Sequence, residues 1–200
     1  MTATGSTPRV RAQWLAYALA LAASGATGGR MLEGGAGLLA QTAGFVLVAA
    51  AVLWRLWTTL FVAGRKETEL VREGPYARCR HPLYLGSMVA SLGIGLTTRS
   101  VAMTVALPLA IGALAVVAAR REDAALAEVH GDAWREYRAA TPAFRPGRRR
   151  TGTPALVSVP PAVYRKAFLD AASFLALWLA VLVLETLRAG GAWQPLLRLP

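Results

Sequence analysis

Tyr76, Arg78, Arg80, His81 and Tyr84 crowd into the stretch Gly74–Gly86, at the mouth of an apolar segment. Charge at membrane depth costs a few kcal/mol per residue on insertion scales, so such a cluster normally marks a site. The local backbone favours one as well. A residue before proline is pushed towards extended conformations, whereas proline itself fits the first turn of a helix. His81-Pro82 therefore predicts a helix that begins at Pro82, with Arg80 and His81 at its mouth. Unsatisfied N–H groups, the helix dipole and Arg80 make an anion-binding position there, and a carboxylate is a suitable guest. Gly74-Pro75 predicts a turn that folds Tyr76 back to the same place. Tyr84 lies about one turn into the helix, and Gly86 lets a backbone or ligand approach. Taken singly, each residue also suits a membrane boundary, where arginine snorkels and tyrosine anchors. The combined spacing favours a site.

Other candidates lie apart in sequence. Glu122-Asp123 follows an apolar run directly and brings acidic groups to the same face as Arg80 and His81. It reads equally as a surface salt-bridge cluster, worth little, or as a carboxylate that hydrogen-bonds a hydroxyl or amine of a ligand. Arg55 lies inside an apolar segment and needs a partner or polar cavity, for which a site carboxylate is one choice. Cys79 is the single cysteine, so no intrachain disulfide and no cysteine-rich metal site is expected, and it reads as an inert thiol.

The elements that must position these residues are membrane helices. Hydrophobic residues make up 55% of the 200 residues, charged residues 16%, and mean hydropathy is +0.42. A soluble domain usually carries roughly 25% charge. The expected fold is all-α: a polytopic helical bundle with about five transmembrane helices, each needing about 20 apolar residues. Candidates are 14–27, 38–63, 83–96, 101–119 and 168–187, the third and fourth forming a helical hairpin around Thr97–Ser100. No small-x-small cleavage site ends the first, so it reads as a span and not a removed signal. A separate amphipathic helix is expected between Arg120 and Arg150, broken at Gly131 and ended by Pro142 and Pro146. Three sections follow: 1–37 as a first span and loop, 38–150 as the functional core, and 151–200 as a linker and apolar helix.

The net charge of +11 is explained by topology. With a cytoplasmic N-terminus, the inside loops hold Arg65, Lys66, Arg72, Arg78, Arg80, Arg120, Arg121 and the basic run 135–166, and few cations remain outside. Arg148-Arg149-Arg150 then reads as attraction to anionic lipid headgroups. No aromatic-rich basic face accompanies it, so nucleic acid is not expected as a partner.

Gly74-Pro75-Tyr76, Arg80-His81-Pro82-Leu83-Tyr84-Leu85-Gly86, a helical hairpin, an acidic pair, Gly131, Trp134-x-x-Tyr137 and Phe144-x-Pro146 occur in that order. This pattern resembles the isoprenylcysteine carboxyl methyltransferase family of integral membrane methyltransferases, which extends to phospholipid N-methyltransferases and bacterial members. The resemblance implies S-adenosyl-L-methionine as methyl donor, bound without a Rossmann fold in a cytoplasm-facing pocket of a bacterial inner-membrane protein. It implies that Thr68, Glu69, Leu70, Val71, Tyr76, His81, Pro82, Leu83, Tyr84 and Glu122 line the donor pocket. It makes Arg80, His81 and Glu122 the catalytic candidates, with Arg55, Arg120 and Arg121 towards the acceptor and no metal. The acidic pair is Glu-Asp where Glu-Glu is common. The family's substrate-side arginine falls on Ala118, for which Arg120 or Arg121 would substitute.

Methyl transfer is an in-line displacement in which charge is annihilated, so a dry pocket and good alignment are the main demands. A carboxylate of a lipid or lipid-linked acceptor needs no base. An amine or thiol does, and His81 or Glu122 is the candidate. Two readings of other classes remain at this point: an NADPH-dependent membrane reductase, and a non-catalytic membrane protein with an interfacial basic cluster.

Overall fold

The computed structural model describes residues 15, 17, 18, 22, 32–63, 65, 69–147 and 157–192. Among them there are four helices and no strand: α1 (Gly34–Val62), α2 (Pro82–Thr97), α3 (Val101–Ala140) and α4 (Pro161–Ala189). Helices α1, α3 and α4 are each long and apolar enough to cross a membrane, and α2 is a shorter apolar helix. An all-helical membrane bundle is thus what the chain forms. Large side chains such as Leu39, Leu53, Leu109 and Leu169 point outward and stay exposed. Contiguous apolar surface of that kind marks a lipid-facing protein. Of the first expected span, only four residues are described. One of them, Tyr17, is buried, sets its ring edge-on to Phe174 and donates its hydroxyl to the Ser87 carbonyl at 3.4 Å.

Lipid offers helices no hydrophobic drive to associate, so close approach through small residues has to supply the contact. α1 and α2 do this at Gly44 and Gly93. A Cβ on Gly44 would lie 2.5 Å from the Gly93 carbonyl oxygen, and one on Gly93 would lie 2.6 Å from that of Gly44. Around this crossing Val48, Ala51, Val52, Ala90, Ile94 and Phe174 make the core. α3 packs on α2, and α4 packs on α1 and α2.

α2 and α3 form the expected hairpin. Arg99 takes φ +58° in the turn, and the Ser100 hydroxyl accepts the Met103 N–H to cap α3. One expectation fails here. The segment after Arg120 is not a separate helix, because α3 runs on from Val101 to Ala140. Nothing between Ala118 and Glu122 interrupts the backbone ladder, and all are compatible with helix. Gly131 does break the helical geometry, with φ +51° and ψ −121°, and the residues beyond it bond to Arg72 and Tyr76 ahead of α2. Pro142 falls beyond the helix end at Ala140.

Candidate active site

Gly74 begins the site. Its φ of +55° suits glycine, and the Phe61 ring stands only 2.5 Å from where a Cβ would be. Pro75 follows in a 3-10 turn, Gly74–Ala77, that carries Tyr76. Next comes the mouth of α2. His81 is the N-cap residue and Pro82 the first residue of α2. No side chain caps this end. A strap from 142–147 lies alongside instead. Arg80 N–H donates to the Pro142 carbonyl at 2.9 Å, His81 N–H to Ala143 at 3.0 Å, and Gly147 N–H to Arg78 at 2.7 Å. The Cys79 thiol donates to the Ala143 carbonyl at 3.1 Å. Burial pushes that thiol up to about 11, so it stays protonated and is no nucleophile at neutral pH.

The acidic pair of α3 meets this mouth. Arg80 Nη1 bonds Asp123 Oδ2 at 2.8 Å, and His81 Nε2 lies 2.8 Å from Asp123 Oδ1. Tyr84 donates its hydroxyl to Glu122 Oε2 at 2.8 Å, and His81 Nδ1 is 3.7 Å from the same oxygen. His81 and Tyr84 stack at 5.5 Å between centroids, with planes 13° apart, and Phe144 of the strap tilts against the histidine. The Arg80 guanidinium lies over the Trp134 ring at 5.6 Å. His81 is buried, and Arg80 and Asp123 nearly so. Charge-assisted bonds in so dry a place are strong and fix geometry.

Beyond the Gly131 break, α3 closes a second wall. Tyr137 donates its hydroxyl to the Tyr76 carbonyl at 2.6 Å, and Arg72 reaches the Ala133 carbonyl at 2.6 Å. Burial raises the phenols of both Tyr76 and Tyr137 well above their ordinary 10, so both are neutral hydrogen-bonding groups.

Two cavities result. The smaller, about 240 Å³, is lined by Tyr76, Arg80, His81, Pro82, Leu83, Tyr84 and Glu122. The larger, about 420 Å³, is lined by Val62, Glu69, Leu70, Val71, Tyr76, Arg80, Glu122, Leu126, Trp134 and Tyr137. They share Tyr76, Arg80 and Glu122. Arg80 Nε and Trp134 Nε1 on these walls are buried without a hydrogen-bond partner among the described residues. Buried donors of this kind call for an acceptor. The aromatic walls, the carboxylate and these donors suit a ligand that combines a flat ring with charged groups of both signs.

The candidates expected from sequence fall into three groups. Glu69, Leu70, Val71, Tyr76, Arg80, His81, Pro82, Leu83, Tyr84 and Glu122 are brought together on the two cavities. Thr68 lies outside the described residues. The acceptor-side arginines line neither cavity. Arg55 pairs with Asp170 of α4 at 2.7 Å and not with a carboxylate of the site. Arg120 and Arg121 are exposed on α3, out of helical phase with Glu122. Sequence reasoning gave Asp123 no role of its own, although it holds both Arg80 and His81. It also left out Val62, Leu126, Trp134 and Tyr137 as lining residues. The spacing of Glu122, Leu126 and, past the glycine, Trp134 and Tyr137 was the available signal.

A helical membrane protein with an Arg–His–carboxylate constellation at the mouth of one helix is the class that fold and site define. The family model described as phospholipid methyltransferase matches residues 31–133, more than half of the chain. The chain belongs to this family of membrane methyltransferases. It is similar to the cobalt-zinc-cadmium resistance protein CzcN of Cupriavidus metallidurans, 42% identical over 108 residues, which are 54% of this chain and 50% of that protein. It is also similar to the nickel-cobalt-cadmium resistance protein NccN of Alcaligenes xylosoxydans xylosoxydans, 33% identical over 154 residues, 77% of this chain and 71% of that protein. The matched part of the chain thus spans half the length of the first relative. No solved structure matches the chain.

Proposed function

We propose that the chain uses S-adenosyl-L-methionine to methylate the carboxylate of an apolar or lipid-linked acceptor, in the manner of the isoprenylcysteine carboxyl methyltransferases. The observation that carries this reading is the pair of adjoining cavities that share Tyr76, Arg80 and Glu122. When bound, the donor supplies a methyl group on a sulfonium. The chain's own residues bind, orient and exclude water. Tyr76, Trp134 and Tyr137 give the larger cavity aromatic walls that suit a flat ring. Arg80 Nε and Trp134 Nε1 suit a carboxylate. Asp123 locks Arg80 and His81 in place so that alignment costs nothing at the moment of reaction.

His81 Nε2 is bonded to Asp123, so an acceptor that has to lose a proton would meet the histidine at Nδ1, which stands 3.7 Å from Glu122 Oε2, whereas a carboxylate acceptor needs no base. The second reading is phospholipid-type N-methylation, for which the family description speaks. Glu122 would then take the proton. The positive-charge bias supports a pocket on the cytoplasmic side of a bacterial inner membrane. The names of the two relatives refer to metal resistance.

Calorimetric titration of the full chain in detergent with S-adenosylhomocysteine tests the donor. Micromolar binding is expected, lost in Glu122→Ala. No binding to folded wild type overturns the reading. Methyl-labelled donor with membrane lipid extract then separates the acceptors. A carboxyl ester releases volatile methanol on alkaline treatment, and an N-methyl group does not.

A further inference from the structure

The proposed donor site occupies the first turn of α2, and that turn is held from behind. Two consecutive residues of α1 reach it. Trp54 Nε1 donates to the Pro82 carbonyl at 2.7 Å, and Arg55 Nη1 donates to the Leu83 carbonyl at 3.1 Å and to the Ser87 hydroxyl at 2.8 Å. Pro82 and Leu83 also line the smaller cavity. The arginine stem passes across Gly86, where a Cβ would lie 2.8 Å from Arg55 Cγ. These contacts set both the rotation and the height of the turn that presents His81 and Tyr84.

Arg55 in turn depends on α4. Its Nη2 bonds Asp170 Oδ2 at 2.7 Å, and its guanidinium lies 4.9 Å from the centre of the Phe174 ring. The arginine side chain is only 13% exposed, whereas that of Asp170 is 47% exposed. An arginine so enclosed in an apolar bundle needs its counter-ion, for without one it reorients towards water or other acceptors. Asp170 lies 37 residues beyond the end of the family match at residue 133. The matched region therefore supplies the cation, and the C-terminal helix supplies the charge that steadies it.

We propose that Asp170 is a positioning residue for the donor site, acting through Arg55 on the first turn of α2, so that α4 is a working part of the enzyme. This rests on the methyl-donor reading of that site. Displacing a binding turn by a fraction of an ångström is enough to cost an order of magnitude, since misplacement by about 1 Å can cost about 100-fold.

The test uses full-length chain in detergent, with S-adenosylhomocysteine as probe and hydrogen exchange as a second readout. Asp170→Asn keeps the shape and removes the charge. Its affinity for the probe is expected to fall about ten-fold, with Asp170→Glu recovering most of it. In an Arg55→Gln background Asp170→Asn should add nothing, as two members of one relay require. Amides of residues 84–87 should exchange faster in Asp170→Asn, with those of 133–140 unchanged. Asp170→Asn that melts earlier yet binds the probe like wild type would make the pair a fastening only, and the proposal falls. Unchanged exchange at 84–87 overturns it as well. Should wild type bind no probe, the donor reading fails by itself. The exchange result then still decides the relay, rising if α4 holds this turn and flat if it does not.

Discussion

At the scale of single residues, Asp123 organises the site, not its better-marked neighbour. One carboxylate holds Arg80 with one oxygen and His81 with the other. Its replacement by asparagine leaves both groups enclosed with a weaker partner. Asp123→Asn is expected to lower stability by about 1–3 kcal/mol, read as the thermal midpoint in detergent, and to weaken S-adenosylhomocysteine binding. Arg120→Ala, on an exposed side chain of the same helix, should change stability by no more than about 0.5 kcal/mol. Equal effects from the two variants would refute this account. The sequence shows why Asp123 was hard to see. Adjacent residues on a helix point about 100° apart, so an acidic pair announces itself without saying which member meets a partner some 42 residues earlier. Arg55 poses the same problem over 115 residues, since its partner Asp170 carries no local signal that ties it to α1. Local chemistry, by contrast, was legible. Proline after His81 starts α2, and Gly74-Pro75 turns the chain, because each acts through its own backbone dihedrals.

At the scale of elements, the bundle is set by where helices touch through glycine. The Gly44–Gly93 contact leaves no room for a methyl group, and the obstructing atoms include backbone carbonyls that cannot rotate aside. Gly93→Ala should therefore push α1 from α2 and destabilise the protein by about 1–3 kcal/mol. Gly35→Ala, in α1 with open space around it, should leave the melting midpoint unchanged or slightly higher. A melting series that ranks the two the other way would show that the crossing is looser than the carbonyl distances imply. Hydropathy made the long apolar helices readable, and a tight polar turn gave away the α2–α3 hairpin. It could not give the length of α3. A change from apolar to charged residues at Arg120 marks the end of a membrane stretch, but the helix ladder is indifferent to it and continues to Ala140. The docking of the strap 142–147 was not legible either, because it joins the mouth of α2 mainly by backbone hydrogen bonds, which any sequence without proline at the donors can make.

At the scale of the whole molecule, the protein protects several weak acids by burying them where the termini of its helices converge. Cys79 is pushed up from 9.0 to about 11, and the phenols of Tyr76 and Tyr137 are raised above 10, in each case chiefly by burial. For the tyrosines, neighbouring acidic groups add to it, and Arg80 opposes part of it at Tyr137. The sign follows from proton counting. As pH climbs through about 9, the unfolded chain begins to lose the Cys79 proton while the folded chain keeps it. From about 10 the same holds for the two tyrosines. The unfolded state then binds fewer protons than the folded one, so stability falls with rising pH. The thermal midpoint in detergent should be level for these groups below about pH 8 and decline from about 9 upward. Cys79→Ala removes the lowest of the three titrations. Its midpoint should start lower at neutral pH, for want of the thiol's packing and its bond to Ala143, yet fall less steeply between about pH 9 and 11. Parallel curves for wild type and variant would mean that the thiol titrates freely, and that the strap does not seal this end of the bundle. A convergence of the curves would show that the folded chain holds the thiol's proton, as burial beneath the strap at Ala143 requires.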